Sequence, residues 1–178
     1  MMATETHFHK ELDELKENLL TMAALVEKAI CDAVQSLVGR DSELAKKIFE
    51  GEDRINAMEI AIDDMCLKLL ALRQPLAGDL RFITSAMKIT KDLERIGDLA
   101  VKIAERAISL NQEPQLKSYI DMPRMAEIAQ SMVKDALDAF VNHDSKLARS
   151  VCERDDLVDR LNDQVSRELL TYMNSNRC

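Results

Sequence analysis

All three prolines and the densest runs of Gly, Asn, Asp and Ser fall in a few short clusters of this sequence, and that spacing limits what the chain can fold into. The clusters are GRDS at residues 39–42, RQP at 73–75, NQEPQLKSYIDMP at 111–123 and NHDS at 142–145. Proline lacks a backbone N–H and disfavours helix in the residue before it, while Gly, Asn, Asp and Ser end or cap helices. Between the clusters lie long stretches rich in Ala, Leu, Ile, Met, Glu, Lys and Arg, whose straight side chains lose little freedom in a helix. With only four glycines, three prolines and 3% aromatic residues in 178, the pattern predicts an all-α protein of five long helices.

The predicted helices run over Thr6–Val38, Glu43–Leu72, Leu76–Leu110, Met125–Val141 and Ser145–Met173. In the second, Ile48, Ile55, Met58, Ile62, Met65 and Leu69 recur at spacings of three and four, with one gap at Glu52. Gly39 is expected to close the first helix as its C′ residue, with Asp41 or Ser42 capping the next. The core implied is aliphatic, with ten methionines as filler.

An internal repeat underlies this punctuation. Residues 30–56, ICDAVQSLVGRDSELAKKIFEGEDRIN, align without a gap on 133–159, VKDALDAFVNHDSKLARSVCERDDLVD, at an offset of 103. The shared break, GRDSELA against NHDSKLA, marks two copies of one helical unit. At that offset the counterpart of Glu94 would be residue 197, beyond the last residue, Cys178. The expectation is a pair of three-helix bundles, residues 1–115 and 120–178, the second lacking its third helix. Such a pair would expose an apolar seam suited to self-association or to a helix from another chain.

Net charge is −8, with no basic stripe, which excludes a phosphate-backbone binder, so no nucleic acid is expected as partner. No apolar run nears the length of a membrane span, so no membrane insertion is expected; MMATETHFHKELDE has neither a basic nor an apolar signal region, and the chain reads as cytoplasmic. The four cysteines, Cys31, Cys66, Cys152 and Cys178, form no CxxC pair and read as reduced core thiols. Gly-rich phosphate loops, nucleophile elbows and Glu-x-x-His pairs are missing, which argues against those catalytic classes, a ferritin-like di-iron enzyme among them.

One acidic constellation stands out. Glu94 and Asp98 share a helix face, and a like-charged i, i+4 pair costs about 0.2–0.5 kcal/mol unless a cation lies between them. Gly97 costs about a further 1 kcal/mol relative to Ala, which is understandable where a neighbouring helix comes close. If Pro75 centres the hairpin of the second and third helices, Glu94 and Asn56 each stand 19 residues from it, and Asp98 and Glu52 each 23. E-x-x-x-N and E-x-x-x-D are then level. The repeat equivalents of Glu52 and Asn56 are Asp155 and Asp159. Oxygen donors without His or Cys suit Mg, Ca, Mn or Fe(III). A solvated acidic face balanced by Lys91 and Arg95 is the competing reading, and Glu59 with Asp63 reads as part of a solvated stripe.

LALRQPLAGDLRFITSAMKI followed by KDLERIGDLAVKIAERA, with EGEDRINAMEIAIDD upstream, resembles the PhoU family of phosphate-regulation proteins. RQP-x-x-x-DLR and LERIGD carry the resemblance most sharply. It implies tandem three-helix bundles, with Glu52, Asn56, Glu94 and Asp98 at a first metal site. Asp155 and Asp159 would form a second, incomplete one. The metal implied is iron, or Mn, Zn, Mg or Ca, in a multinuclear cluster; Asn56 stands where aspartate is common. The resemblance also implies a homodimeric negative regulator of phosphate uptake and phosphate-starvation signalling. Such a regulator would act between the phosphate ABC transporter ATPase and its sensor histidine kinase. A carboxylate-ligated metalloenzyme and a metal-free helical interaction module are the alternatives.

Overall fold

The computed structural model describes residues 2–115 and 119–175, with side chains from His7 to Asn174. Five helices account for most of them: α1 (Met2–Val38), α2 (Ser42–Arg73), α3 (Ala77–Leu110), α4 (Asp121–Val141) and α5 (Ser145–Ser175). Helix α4 starts four residues before the expected Met125. Pro123 falls in its first turn, where the missing N–H has no intrahelical acceptor to lose.

Helices α1, α2 and α3 pack pairwise into a three-helix bundle. Leu15, Leu19, Met22 and Val26 of α1 meet Ile55, Ile62, Cys66 and Leu69 of α2 and Phe82, Ile83 and Leu93 of α3 in one core. Burying each such side chain contributes about 1.5–3 kcal/mol. The heptad-like row expected in α2 is this buried face, with Met58 and Met65 on its margin. Near the α1–α2 turn, Ala33, Ala45, Ala100 and Ala104 form a second cluster with Ile48, where small side chains let the three helices converge. The buried hydroxyls of Ser36 and Thr90 donate to the carbonyls of Ala33 and Ala86, both at 2.8 Å, so neither is left unsatisfied.

The helix α1–α2 and α4–α5 turns are the same structure. Asp41 and Asp144 each accept from the backbone N–H groups two and three residues on, at 2.9–3.0 Å. The N–H of Asp41 reaches back to Ser36 O at 2.9 Å and that of Asp144 to Ala139 O at 2.8 Å. Between them, Arg40 (φ 54°) and His143 (φ 55°) take the left-handed conformation. The residue that turns the chain is therefore Arg40, not Gly39, which has negative φ. Arg40 Nη2 donates to the carbonyls of Leu110 at 3.3 Å and Asn111 at 2.7 Å, and also to Glu113 O, which offsets its backbone cost.

Helix α4 lies against α1, and among the described residues α5 packs only on α4. Arg154 Nη1 donates to Ser131 Oγ at 3.0 Å, and Arg154 Nη2 pairs with Asp135 at 2.5 Å. Positions that α3 covers in the first repeat are open in the second. Met22, Ala33, Ala45 and Ile55 are buried, whereas Met125 and Val158 are half-buried and Ala136 and Ala148 exposed. Among the described residues no third helix covers α4 and α5.

The cysteines divide. Cys66 is buried in the core, which pushes its thiol up to about 11, and Cys31 is half-buried. Cys152 is exposed rather than a core residue, since no other helix covers that face of α5 among the described residues; Cys178 lies outside them.

Candidate metal centre

The α2–α3 hairpin turns through Gln74 in the left-handed conformation and Pro75. Its register follows the count from Pro75. Glu59 and Lys91, each 16 residues away, form an ion pair across the two helices. The Glu52 and Asp98 carboxyls, each 23 residues away, lie within hydrogen-bonding reach of one another. Asn56 and Glu94 occupy the rung between.

The close approach of the helices has a local cause. A Cβ on Gly97 would stand 3.1 Å from Ile55 Cδ1 and 3.4 Å from Ile55 Cγ2, so glycine lets the branched Ile55 side chain rest on the α3 backbone. That contact lies one residue from Asp98 on α3 and three from Glu52 on α2.

The pair is electrostatically unsettled. Burial pushes the Glu52 carboxyl above the usual glutamate range, and the negative charges of Asp98, Asp53 and Glu105, with the Asp98 hydrogen bond, push it the same way. Two carboxylates this close need a shared proton or a cation to relieve their repulsion. One turn along α2, Asn56 Oδ1 is shielded from solvent and accepts no hydrogen bond.

The other expected ligands are placed differently. Glu94 is half-buried one turn before Asp98, and its charge acts on Lys91. Asp155 and Asp159 are exposed on α5. Among the described residues no three His, Cys, Asp or Glu side chains gather as a ready metal site. The Glu59–Lys91 pair is what sequence reasoning missed. Balancing Lys91 against the acids of its own helix overlooks that the same count from Pro75 places it opposite Glu59.

The comparisons with known proteins decide the family. The PhoU domain model matches residues 19–107 and 122–178. The chain belongs to the PhoU family. A phosphate-specific transport system accessory protein PhoU homolog of Aquifex aeolicus is 47% identical over 164 residues, 92% of this chain and 74% of that protein. A crystal structure of PhoU from Pseudomonas aeruginosa superposes with a TM-score of 0.90 at 46% identity, covering 95% of this chain and 81% of that one. A crystal structure of the phosphate transport system regulatory protein PhoU from Streptococcus pneumoniae gives 0.86 at 32%, covering 95% and 80%. PhoU is a family of accessory proteins, not of enzymes. No helix among the described residues is long and apolar enough to cross a membrane.

The metal that PhoU resemblance implies fits the first set of residues and not the second. Glu52, Asp98 and Asn56 offer only oxygen donors, one of them a buried acceptor without a partner, which is the chemistry of a hard or intermediate cation. Asp155 and Asp159 stand in solvent with no third helix facing them among the described residues.

Proposed function

We propose that this chain is a metal-binding adaptor that restrains phosphate uptake and phosphate-starvation signalling. It acts between the phosphate ABC transporter ATPase and its cognate sensor histidine kinase, in the cytoplasm and as a homodimer. Membership in a family of phosphate-transport accessory proteins supports the regulatory role. The single structural observation that carries the metal is the Glu52–Asp98 contact beside the unpartnered Asn56 Oδ1.

Residues 1–115 form the first unit of the adaptor and 120–178 belong to the second. Glu52, Asn56 and Asp98 hold the cation, and Glu94 completes its surroundings. A bound divalent or trivalent ion neutralises the carboxylate pair and ties α2 to α3. This chain's own contribution is to hold two helices in register and to present an oxygen-only face.

Two measurements test the proposal. Elemental analysis of untagged protein is expected to find stoichiometric metal that is lost in Asp98→Ala. In a strain deleted for the gene, phosphate-dependent repression is expected to fail and to return on complementation with the wild-type chain. Repression that is intact in the deletion strain would overturn the regulatory role, and absence of metal from the wild type would overturn the adaptor's metal dependence.

A further inference from the structure

Two glycines lie in helix interiors, Gly51 in α2 and Gly97 in α3, and packing explains only one of them. Gly97 makes room for Ile55. Gly51 makes room for no part of the protein, since a Cβ built there would meet no neighbouring group within 4 Å. A mid-helix glycine weakens its helix, and what it permits in return is close approach of another backbone or of a ligand. At Gly51 no other helix takes the space.

That space belongs to a groove of about 380 Å³ between α1 and α2. Small-ligand sites have volumes of about 300–1,000 Å³. Lys47, Gly51 and Arg54 stand at i, i+4 and i+7 and so share one face of α2, with a cation one turn to either side of the bare backbone. Lys28 lines the opposite wall on α1, beside Leu25 and Ala29.

The cations of the groove are not equally engaged. Lys28 is paired with Asp32 at 2.5 Å. Lys47 and Arg54 are exposed and form no ion pair among the described residues, although Glu50 lines the same groove one turn before Arg54. Lys46, which lies outside the groove, is paired with Glu43 at 2.8 Å. On a chain of net charge −8, the groove gathers three cations against two carboxylates.

We propose that the α1–α2 groove binds a small phosphorylated anion, its phosphoryl group seated on Gly51 between Lys47 and Arg54. A phosphoryl dianion accepts hydrogen bonds from a guanidinium and an ammonium together, and the turn without a side chain lets it lie against the helix. Leu25, Ala29 and Leu44 provide an apolar wall for a body attached to that group. Inorganic phosphate and a nucleotide are the two sources of such chemistry. The groove is separate from the Glu52–Asp98 centre, which lies between α2 and α3, and does not depend on it.

Isothermal titration of the full chain in phosphate-free buffer, with inorganic phosphate and separately with ADP, tests this. At least one probe is expected to bind at a single site. Phosphate without ADP identifies the free ion as ligand, ADP without phosphate identifies an organic phosphate, and binding of both shows that the groove reads the phosphoryl group alone. Lys47→Gln and Arg54→Gln are each expected to weaken binding at least tenfold, and Lys46→Gln less than twofold. Gly51→Leu keeps both cations and favours the helix, so it is expected to melt no lower than the wild type and yet to lose binding. Binding is expected to persist in Asp98→Ala, which separates this groove from the metal centre. Failure of both probes to bind at millimolar concentration, or binding that Gly51→Leu or the two cation variants leave intact, would overturn the proposal.

Discussion

Gln130 Nε2 donates a hydrogen bond to the backbone carbonyl of Glu27 at 3.0 Å, and the two residues are 103 positions apart, the offset of the internal repeat. A contact between equivalent residues, with reciprocal pairings on either side of it, marks a two-fold relation between the copies. The packing of α1 against α4 follows that symmetry. Leu20, Ala23, Ala24 and Glu27 line a groove with Lys134, Leu137 and Asp138, and their counterparts Pro123, Ala126, Glu127 and Gln130 line another with Cys31, Val34 and Gln35. The repeat visible in the letters is thus also the geometry by which one unit docks on the other.

Away from that axis, the ring of Phe82 at the start of α3 stacks on Phe140 of α4, with centroids 4.8 Å apart and planes 10° from parallel. Phe82 is 7% exposed and belongs to the main core. Phe82→Ala is expected to cost about 3–5 kcal/mol, since it removes core volume as well as the stack. Phe140→Leu, which keeps apolar bulk and removes only the ring pairing, should cost about 0.5–1.5 kcal/mol. Urea unfolding of both variants checks the ratio; an unchanged stability in Phe140→Leu would mean that the stack adds nothing beyond volume.

The equality of the two turns also explains what is legible in the sequence. Breaker clusters place the helix boundaries within a few residues, the starts of α1 and α4 each lying four residues before the expected Thr6 and Met125, and the count from Pro75 brings Glu52 level with Asp98, because an unbroken antiparallel hairpin keeps its register. The left-handed residue lies one position beyond the expected glycine. Gly39 has the permissive backbone, but the hydrogen bond from Asp41 to Ser36 closes around Arg40, whose long side chain finds acceptors 70 or more residues away. Long-range partners of this kind leave no local pattern. Cys152 departs from expectation for a related reason: helical periodicity marks an apolar face without saying whether anything covers it.

Arg40 joins the first turn to the end of α3 through the carbonyls of Leu110, Asn111 and Glu113. Two effects oppose one another there, the left-handed φ of 54° and the side-chain bonds. Arg40→Gly relieves the first and loses the second, whereas Arg40→Ala loses the bonds and keeps the strain. Arg40→Ala is expected to be less stable than Arg40→Gly by about 1 kcal/mol. Both should speed amide exchange in the last turn of α3. If the two variants prove equally stable, the turn does not depend on backbone strain at this residue.

Acid sensitivity should arise where α1 meets the end of α2. Arg73 Nε and Nη2 each donate to a different oxygen of Glu11 at 2.8 Å. The Arg73 hydrogen bond holds the Glu11 carboxyl below its ordinary value of 4.5, against the opposing effect of burial, and the charges of Arg73 and His7 add to the lowering. A lowered folded-state value means that this pair stabilises the fold fully above the unfolded glutamate value. That contribution fades as pH falls through the folded value. Melting temperature measured from pH 7 down to pH 3 should therefore drop more steeply below about pH 4.5 in the wild type than in Glu11→Gln. Parallel curves would show that Arg73 does not discriminate between the two protonation states.

The contact that brings the metal-centre helices together can be tested by separating two costs of glycine. Gly97→Ala gains about 1 kcal/mol of helix propensity but sets a Cβ 3.1 Å from Ile55 Cδ1, and Ile55, 2% exposed, has little room to turn aside. Gly97→Ala alone is therefore expected to lie within about 1 kcal/mol of the wild type. Ile55→Val removes Cδ1 and leaves Cγ2 as the nearest atom, at an ordinary 3.4 Å. By itself it should cost about 0.5–1.5 kcal/mol. Adding Gly97→Ala to Ile55→Val should then raise stability by up to about 1 kcal/mol, because the propensity gain is no longer opposed by crowding. A double-mutant cycle by urea unfolding measures this coupling. Strict additivity of the two substitutions would show that Ile55 Cδ1 does not enforce glycine at position 97, and the close approach of α2 to α3 would need another cause.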